Sequence, residues 1–186
     1  MTVSKLAGVK PSDIGLEVLR GSARPILPNT RDKTLVIPGR NGLWDFGADL
    51  EPRYFNLECA FLTRSPLELQ THAETLAGIL VDGRGKPKTF ELVFSVHPER
   101  VYYVRYSGSL GIDRLVGFGR FTLPLVAYDP FAYGAEQIIE TTFTANNYAS
   151  NITSNSNIET PPVITLSNEG GNTISGFTIT SEILVQ

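Results

Sequence analysis

A single cysteine, Cys59, excludes any disulfide within the chain, so no disulfide framework ties it to an oxidising compartment. Histidine is almost as scarce. His72 and His97 are the only two, and neither has a second His, Cys or carboxylate at the spacing of a zinc site. The carboxylates are scattered and single out no acid/base pair. The turn Gly83 to Lys88 (GRGKPK) contains Gly-x-Gly-Lys but lacks the glycine spacing and the following Ser/Thr of a phosphate loop. These gaps predict a protein that is not an enzyme and holds no metal or cofactor. Long apolar runs are missing too. No stretch approaches the ~20 apolar residues that span a bilayer, and MTVSKLAGVKPSDIG has no continuous apolar segment of a signal peptide. Synthesis in the cytoplasm without membrane insertion is expected. Charge is low at 19% and the net charge is −3, which gives no whole-molecule case for nucleic-acid binding. The last absence is local: residues 134–186 contain no Lys or Arg, and all sixteen lie in the first 133 residues.

Hydrophobic residues make up 41% of the chain, enough for a real core. Residues 34–68 organise it. Leu35, Val36 and Ile37 form an apolar strand that ends at Pro38-Gly39. Arg40-Asn41-Gly42 is a turn, because Asn and Gly tolerate the positive φ that tight hairpins need. Leu43, Trp44 and Phe46 begin the returning strand. A third strand over 54–62 puts Phe55, Leu57, Cys59 and Phe61 on one wholly apolar face. Cys59 is therefore expected to be a buried small hydrophobe rather than a nucleophile. The spacing then predicts a helix over 65–81. Ser65 is its N-cap, Pro66 its first residue, and Glu68 completes a capping box. Leu69, Ala73, Leu76, Ala77 and Leu80 form one stripe, with Gly83 the expected C-terminal stop and His72 expected to face solvent.

Upstream, 13–19 reads as one strand, and 21–33 reads as an extended arm or loop broken by Pro25 and Pro28. Downstream, 89–94 and 100–107 are strands around a His97-Pro98-Glu99 turn. Residues 112–128 read as one long strand, bent near Gly117 and Gly119. Pro124 marks an edge or irregular position in it, because proline cannot donate to a ladder. A boundary falls at Asp129 to Tyr133. Beyond it, alternating strands are predicted at 137–144, 163–167 and 174–179.

The order of these features resembles the siphophage distal tail protein (phage tail-component) family. The resemblance rests on Pro38-Gly39-Arg40-Asn41-Gly42 before a strand and on Arg53 opening the next. It continues through the Ser65-Pro66-Leu67-Glu68 helix, the strand pair around His97 to Tyr102, and the strand ending at Tyr128-Asp129-Pro130-Phe131. It covers residues 34–133. The resemblance implies a mainly β fold: a tail-tube-like β-sandwich with one helix packed on it over 1–133, arm included. A short or partial galectin-like second β-sandwich would occupy 134–186, which is brief beside the ~100 residues of a full sandwich. It implies a structural virion protein of a long non-contractile tail tip. Such a protein forms a homo-hexameric ring between the tail tube protein and the tip and receptor-binding proteins, with DNA passing through its channel unread. The interface expectations are Arg24, Pro25, Ile26 and Leu27 in the arm, and Arg40, Asn41 and Gly42 in the turn. Two other readings stand beside it: a tail-tube subunit, and a carbohydrate-binding β-sandwich, for which the C-terminal region offers only Tyr148 and Phe177.

Overall fold

The computed structural model describes residues 2–115, 118–144 and 148–180. The chain divides into two compact units, Met1–Ile138 and Ile139–Gln186. The first is mainly β with one α-helix. Its strands are β1 (Val3–Leu6), β2 (Leu16–Val18), β3 (Thr30–Leu35), β4 (Trp44–Leu50), β5 (Arg53–Leu62), β6 (Thr89–Phe94), β7 (Val101–Tyr106), β8 (Asp113–Leu115) and β9 (Phe118–Ala127). Helix α1 spans Pro66–Leu80. Seven strands form one antiparallel sheet in the order β1-β6-β7-β9-β5-β2, with β8 paired to β9.

That sheet curls on itself. Its two edge strands, β1 and β2, are joined by the 3-10 turn Pro11–Ile14, and Leu6 and Leu16 from those edges enter the same apolar cluster. Phe55, Leu57, Cys59 and Phe61 line the inside from β5, Leu92 and Phe94 from β6, and Phe121, Leu123 and Leu125 from β9. The expected core face of the third strand is therefore correct residue by residue. β1 was not foreseen: its four residues pair with β6, about ninety positions away, at Val3↔Phe94 and Leu6↔Leu92.

Helix α1 caps the curl with Leu69, Leu76 and Leu80, while Ala77 is exposed. Ser65 Oγ accepts from Glu68 N–H at 3.2 Å. The return contact of the capping box lands one residue early, since Glu68 Oε2 accepts from Arg64 N–H at 2.9 Å. The helix stops at Val81, which is extended, not at Gly83. Asp82 does the turning: its Oδ1 accepts from the N–H groups of Arg84 and Lys86, and Gly85 supplies the positive φ. His72 does not face solvent. Its ring lies against Phe61, 5.8 Å between centroids, and over Gly15.

Other expectations are corrected. The strand over 13–19 shrinks to Leu16–Val18, because Pro11 and Gly15, the latter at φ 67°, set a 3-10 turn before it. The run 112–128 is two strands, β8 and β9, and the expected bend at Gly117 lies outside the described residues. Gly119 pairs with Phe61 in regular register, and the space its Cβ would take is filled by Leu69 Cδ1 at 2.8 Å. Of the two positions expected for Pro124, it takes the irregular one and not the edge. β9 lies between β7 and β5, and the β7 pairing ends next to Pro124, so its missing N–H costs no ladder bond to that neighbour. In the second unit, none of the strands expected at 137–144, 163–167 and 174–179 is formed among the described residues. The alternation is present there, but no strand edge receives it.

Candidate assembly interface

β3 and β4 form a hairpin separate from the main sheet. It is longer and set differently from the sequence reading. The first strand begins at Thr30, inside the expected arm, and ends at Leu35. Val36 and Ile37 belong to the loop, and the return begins at Trp44. Register explains the shift. Leu35 opposes Trp44, Thr34 opposes Asp45, and Arg31 opposes Asp49. The ladder slips by one between Asp32 and Thr34, where Gly47 at φ 89° makes the bulge and donates its N–H to Asp45 Oδ1 at 2.8 Å. The loop bends at Gly39 and Gly42, both at positive φ, so Arg40-Asn41-Gly42 does lie at the hairpin tip. Arg40 stacks over the Trp44 ring at 4.7 Å.

No residue of this hairpin belongs to the core cluster. Trp44 is 48% exposed and Phe46 61%, and Leu35, Val36, Ile37, Leu43 and Leu50 are exposed as well. An isolated two-stranded hairpin is marginal in water. Seven large apolar side chains on one such element form a surface made to be covered. Ion pairs stiffen its base: Asp49 Oδ2 takes Lys33 Nζ at 2.7 Å and Arg31 Nη2 at 3.5 Å.

The hydrogen bond from Lys33 lowers the Asp49 carboxyl below 3.8, with further lowering from the Lys33 charge and from Arg31. A depressed carboxyl stabilises the fold above its unfolded value and loses that contribution as pH falls through its folded value. The hairpin base should therefore loosen only below about pH 3.8, an effect screened by salt because the groups are exposed. Carbon-13 titration of the Asp49 carboxyl checks this, and Lys33→Met should raise its midpoint.

The arm enters the hairpin from below. Ala23 bridges to Asn56 on β5, and Glu51 N–H bonds to Asn29 O at 2.8 Å. Arg24 is half-buried. Its guanidinium lies 4.2 Å over the Phe94 ring, and Nη2 reaches the Tyr102 hydroxyl at 3.3 Å. Arg53 is 8% exposed; Nη1 donates to the same hydroxyl at 3.0 Å and Nη2 to Ile26 O at 2.8 Å. Arg53 thus holds the arm by its backbone. Ile26, 92% exposed, and Leu27 project outward beside a shallow cleft formed by Pro25, Pro28, Pro52 and Tyr54. The seven sequence-predicted interface residues lie in two places: Arg24 to Leu27 in the arm that precedes β3, and Arg40 to Gly42 at the hairpin tip. Strand β3, Thr30–Leu35, lies between them in the chain. Sequence reasoning missed Trp44, Phe46 and Leu50 as surface residues. It also missed Arg53 as the arm's anchor, whose partners are remote in the chain.

Among the described residues no group of three or more His, Cys, Asp or Glu side chains is placed to hold a metal ion. His97 Nδ1 meets only Glu99, at 3.3 Å. Burial, with a smaller push from the neighbouring Glu58 charge, raises the Cys59 thiol to about 12. At pH 8 roughly one molecule in 10⁴ then carries the thiolate, so the folded protein should resist a disulfide reagent that titrates one thiol after unfolding. Rapid labelling of the native protein would show that the inside of the curled sheet opens. No helix among the described residues is long and apolar enough to cross a membrane. In the second unit Tyr148 stacks on Phe143, 5.2 Å between centroids, and Phe177 is exposed alone.

Comparison with known proteins fits this geometry. The model of the phage tail protein RIFT-related domain matches residues 9–127. Among solved structures, SPP1 Dit (gp 19.1), described as a paradigm of hub adsorption apparatus in Gram-positive-infecting phages, aligns with a TM-score of 0.59 at 22% identity. The alignment covers 72% of this chain and 52% of that protein, so the chain spans about half of its length. At this identity the likeness is one of fold. No curated protein matches the sequence.

Proposed function

This chain belongs to the family of phage tail proteins with the RIFT-related domain, and we propose that it is a distal-tail hub subunit that closes with five further copies into a ring. The observation that carries the reading is the β3–β4 hairpin, a detached two-stranded element whose large apolar side chains are exposed and lie outside the core cluster of the described residues. Such a projection fits a heterologous contact, in which one subunit's projection covers a different surface of the next and rotation closes the set. Arg24 to Leu27 would border that contact at the base, and Arg40 to Gly42 at the tip. Residues 1–133 would form the ring, and 134–186 would start a second region on it. The ring would sit in the virion at the tip of a long non-contractile tail, between the tail tube protein and the tip and receptor-binding proteins, with DNA passing through its channel. The role is structural, not enzymatic.

Light scattering after size exclusion tests this. A mass near six or twelve times 20.4 kDa supports the ring. A monomer at every concentration up to the solubility limit removes it.

A further inference from the structure

The Arg24–Arg53 pair contains a surplus that the fold does not balance. Two guanidiniums converge on one phenol oxygen, that of Tyr102. The surroundings are aromatic: Phe94 under Arg24, Tyr102 under both, and Phe55 packed edge-on against Tyr102 at 5.1 Å. Among the described residues neither arginine forms an ion pair. Arg53 is more than nine-tenths buried, and its Nε is a buried donor with no partner. A guanidinium stays cationic, and a buried cation without a counter-charge is among the costlier arrangements a fold can hold. Together the two arginines meet four groups: the Tyr102 hydroxyl, the Ile26 carbonyl, and the rings of Phe94 and Tyr102. All are neutral.

We propose that Arg24 and Arg53 form an acceptor site for one carboxylate, supplied in trans by an acidic side chain of an adjoining copy. The donor pattern selects this class. Nε and Nη2 of an arginine form a side-on fork that fits a planar carboxylate with two parallel hydrogen bonds. On Arg53 one tine, Nε, is free, and the other holds only the neutral carbonyl of Ile26, which belongs to the exposed arm. A carboxylate displaces that carbonyl, takes both tines, and receives Arg24 from the second side. The trans source is favoured by continuity: the site lies directly behind Ile26 and Leu27, at the base of the surface assigned above to a subunit contact. That half of the inference rests on the ring reading; the site itself does not.

The test separates the two. The dilute chain, labelled with nitrogen-15, is titrated with sodium propionate, with chloride at equal ionic strength and with phosphate as controls. The Arg53 and Arg24 Nε–Hε resonances should move and saturate with propionate, with a dissociation constant on the order of 10 mM. In Arg24→Gln, which alters only a half-exposed side chain, binding should weaken roughly tenfold. No movement up to about 200 mM propionate overturns the site, whatever the protein's mass. Stronger movement with phosphate overturns the carboxylate assignment. The mass distribution is then measured in propionate and in chloride. Loss of assembly in propionate supports supply in trans, and unchanged assembly at saturating propionate overturns it while leaving the ring in place. A chain that binds propionate but never assembles keeps the site and loses both the ring and the trans source.

Discussion

Gly15→Ala should cost about 2–5 kcal/mol of unfolding free energy, and pairing it with His72→Ala should recover part of that loss. Two separate physical terms add at Gly15. Its φ of 67° is left-handed, where a Cβ costs about 1–2 kcal/mol. The Cβ would also sit 2.2 Å from His72 Cε1 and Nδ1, inside any allowed contact, so the ring must move. Forcing such a move in a packed site typically costs about 1–3 kcal/mol. His72 has little room to yield, since Phe61 flanks it and its Nδ1 is buried without a partner. The position matters beyond its own contacts. Gly15 ends the 3-10 turn that ties edge strand β1 to edge strand β2. Urea unfolding of wild type, the two single variants and the double variant closes a cycle. The His72→Ala background should remove the steric term and leave the left-handed one. A Gly15→Ala protein within about 0.5 kcal/mol of wild type would mean that helix α1 floats over the turn, contrary to the contact seen.

The same pair shows where the sequence is legible and where it is not. Helical periodicity places His72 between the stripe residues Leu69 and Leu76, and by that rule it faces water. What pulls it inward is a glycine 57 positions upstream that leaves a Cβ-sized space beneath the ring. Local pattern cannot show a vacancy made by a remote residue. Where the signal is local, it reads well. The buried face of β5 follows from strict alternation, and the start of α1 from Ser65, Pro66 and Glu68. The hairpin reads as a hairpin because Asn41-Gly42 marks its tip. Its register does not, because Gly47 inserts a bulge and the Arg31–Asp49 and Lys33–Asp49 pairs fix strand residues that resemble a polar loop. β1 is four residues long, and only its partner β6 defines it. Beyond residue 134 the converse holds. Alternation says which face a strand would bury, but hydrogen bonds form only where an edge is offered. For the proposed contact, the arm was legible as an extended segment or loop and the tip as a turn. The apolar stretch between them reads as ordinary strand until the sheet that would cover it proves to be elsewhere.

The double substitution Trp44→Ser/Phe46→Ser should abolish self-association while leaving the monomer's stability nearly unchanged. These two effects normally oppose one another, because removing large aromatics from a core costs about 3–5 kcal/mol each. Here the rings are outside the core cluster and exposed, Trp44 by 48% and Phe46 by 61%, so truncation leaves no cavity. Surface changes of this kind fall within about 0.5 kcal/mol. Trp44 does support Arg40 by stacking, but that contact is itself at the surface and weak, about 0.5–1 kcal/mol. At an interface the same rings become anchors. Buried tryptophan and other aromatics at the centre of a contact are worth about 2 kcal/mol or more apiece, so losing both should weaken subunit contact by roughly a thousandfold. The comparison that decides is paired: unfolding midpoint by circular dichroism and mass by light scattering on the same samples. An unchanged midpoint with only monomer mass assigns the hairpin to the contact. A midpoint that collapses would mean that the rings support the monomer's own fold, and assembly that persists would move the contact to another face. A second variant guards the reading. Leu92→Ala removes a fully buried side chain remote from the hairpin, should cost about 2–5 kcal/mol of stability, and should leave the mass of the still-folded protein unaltered.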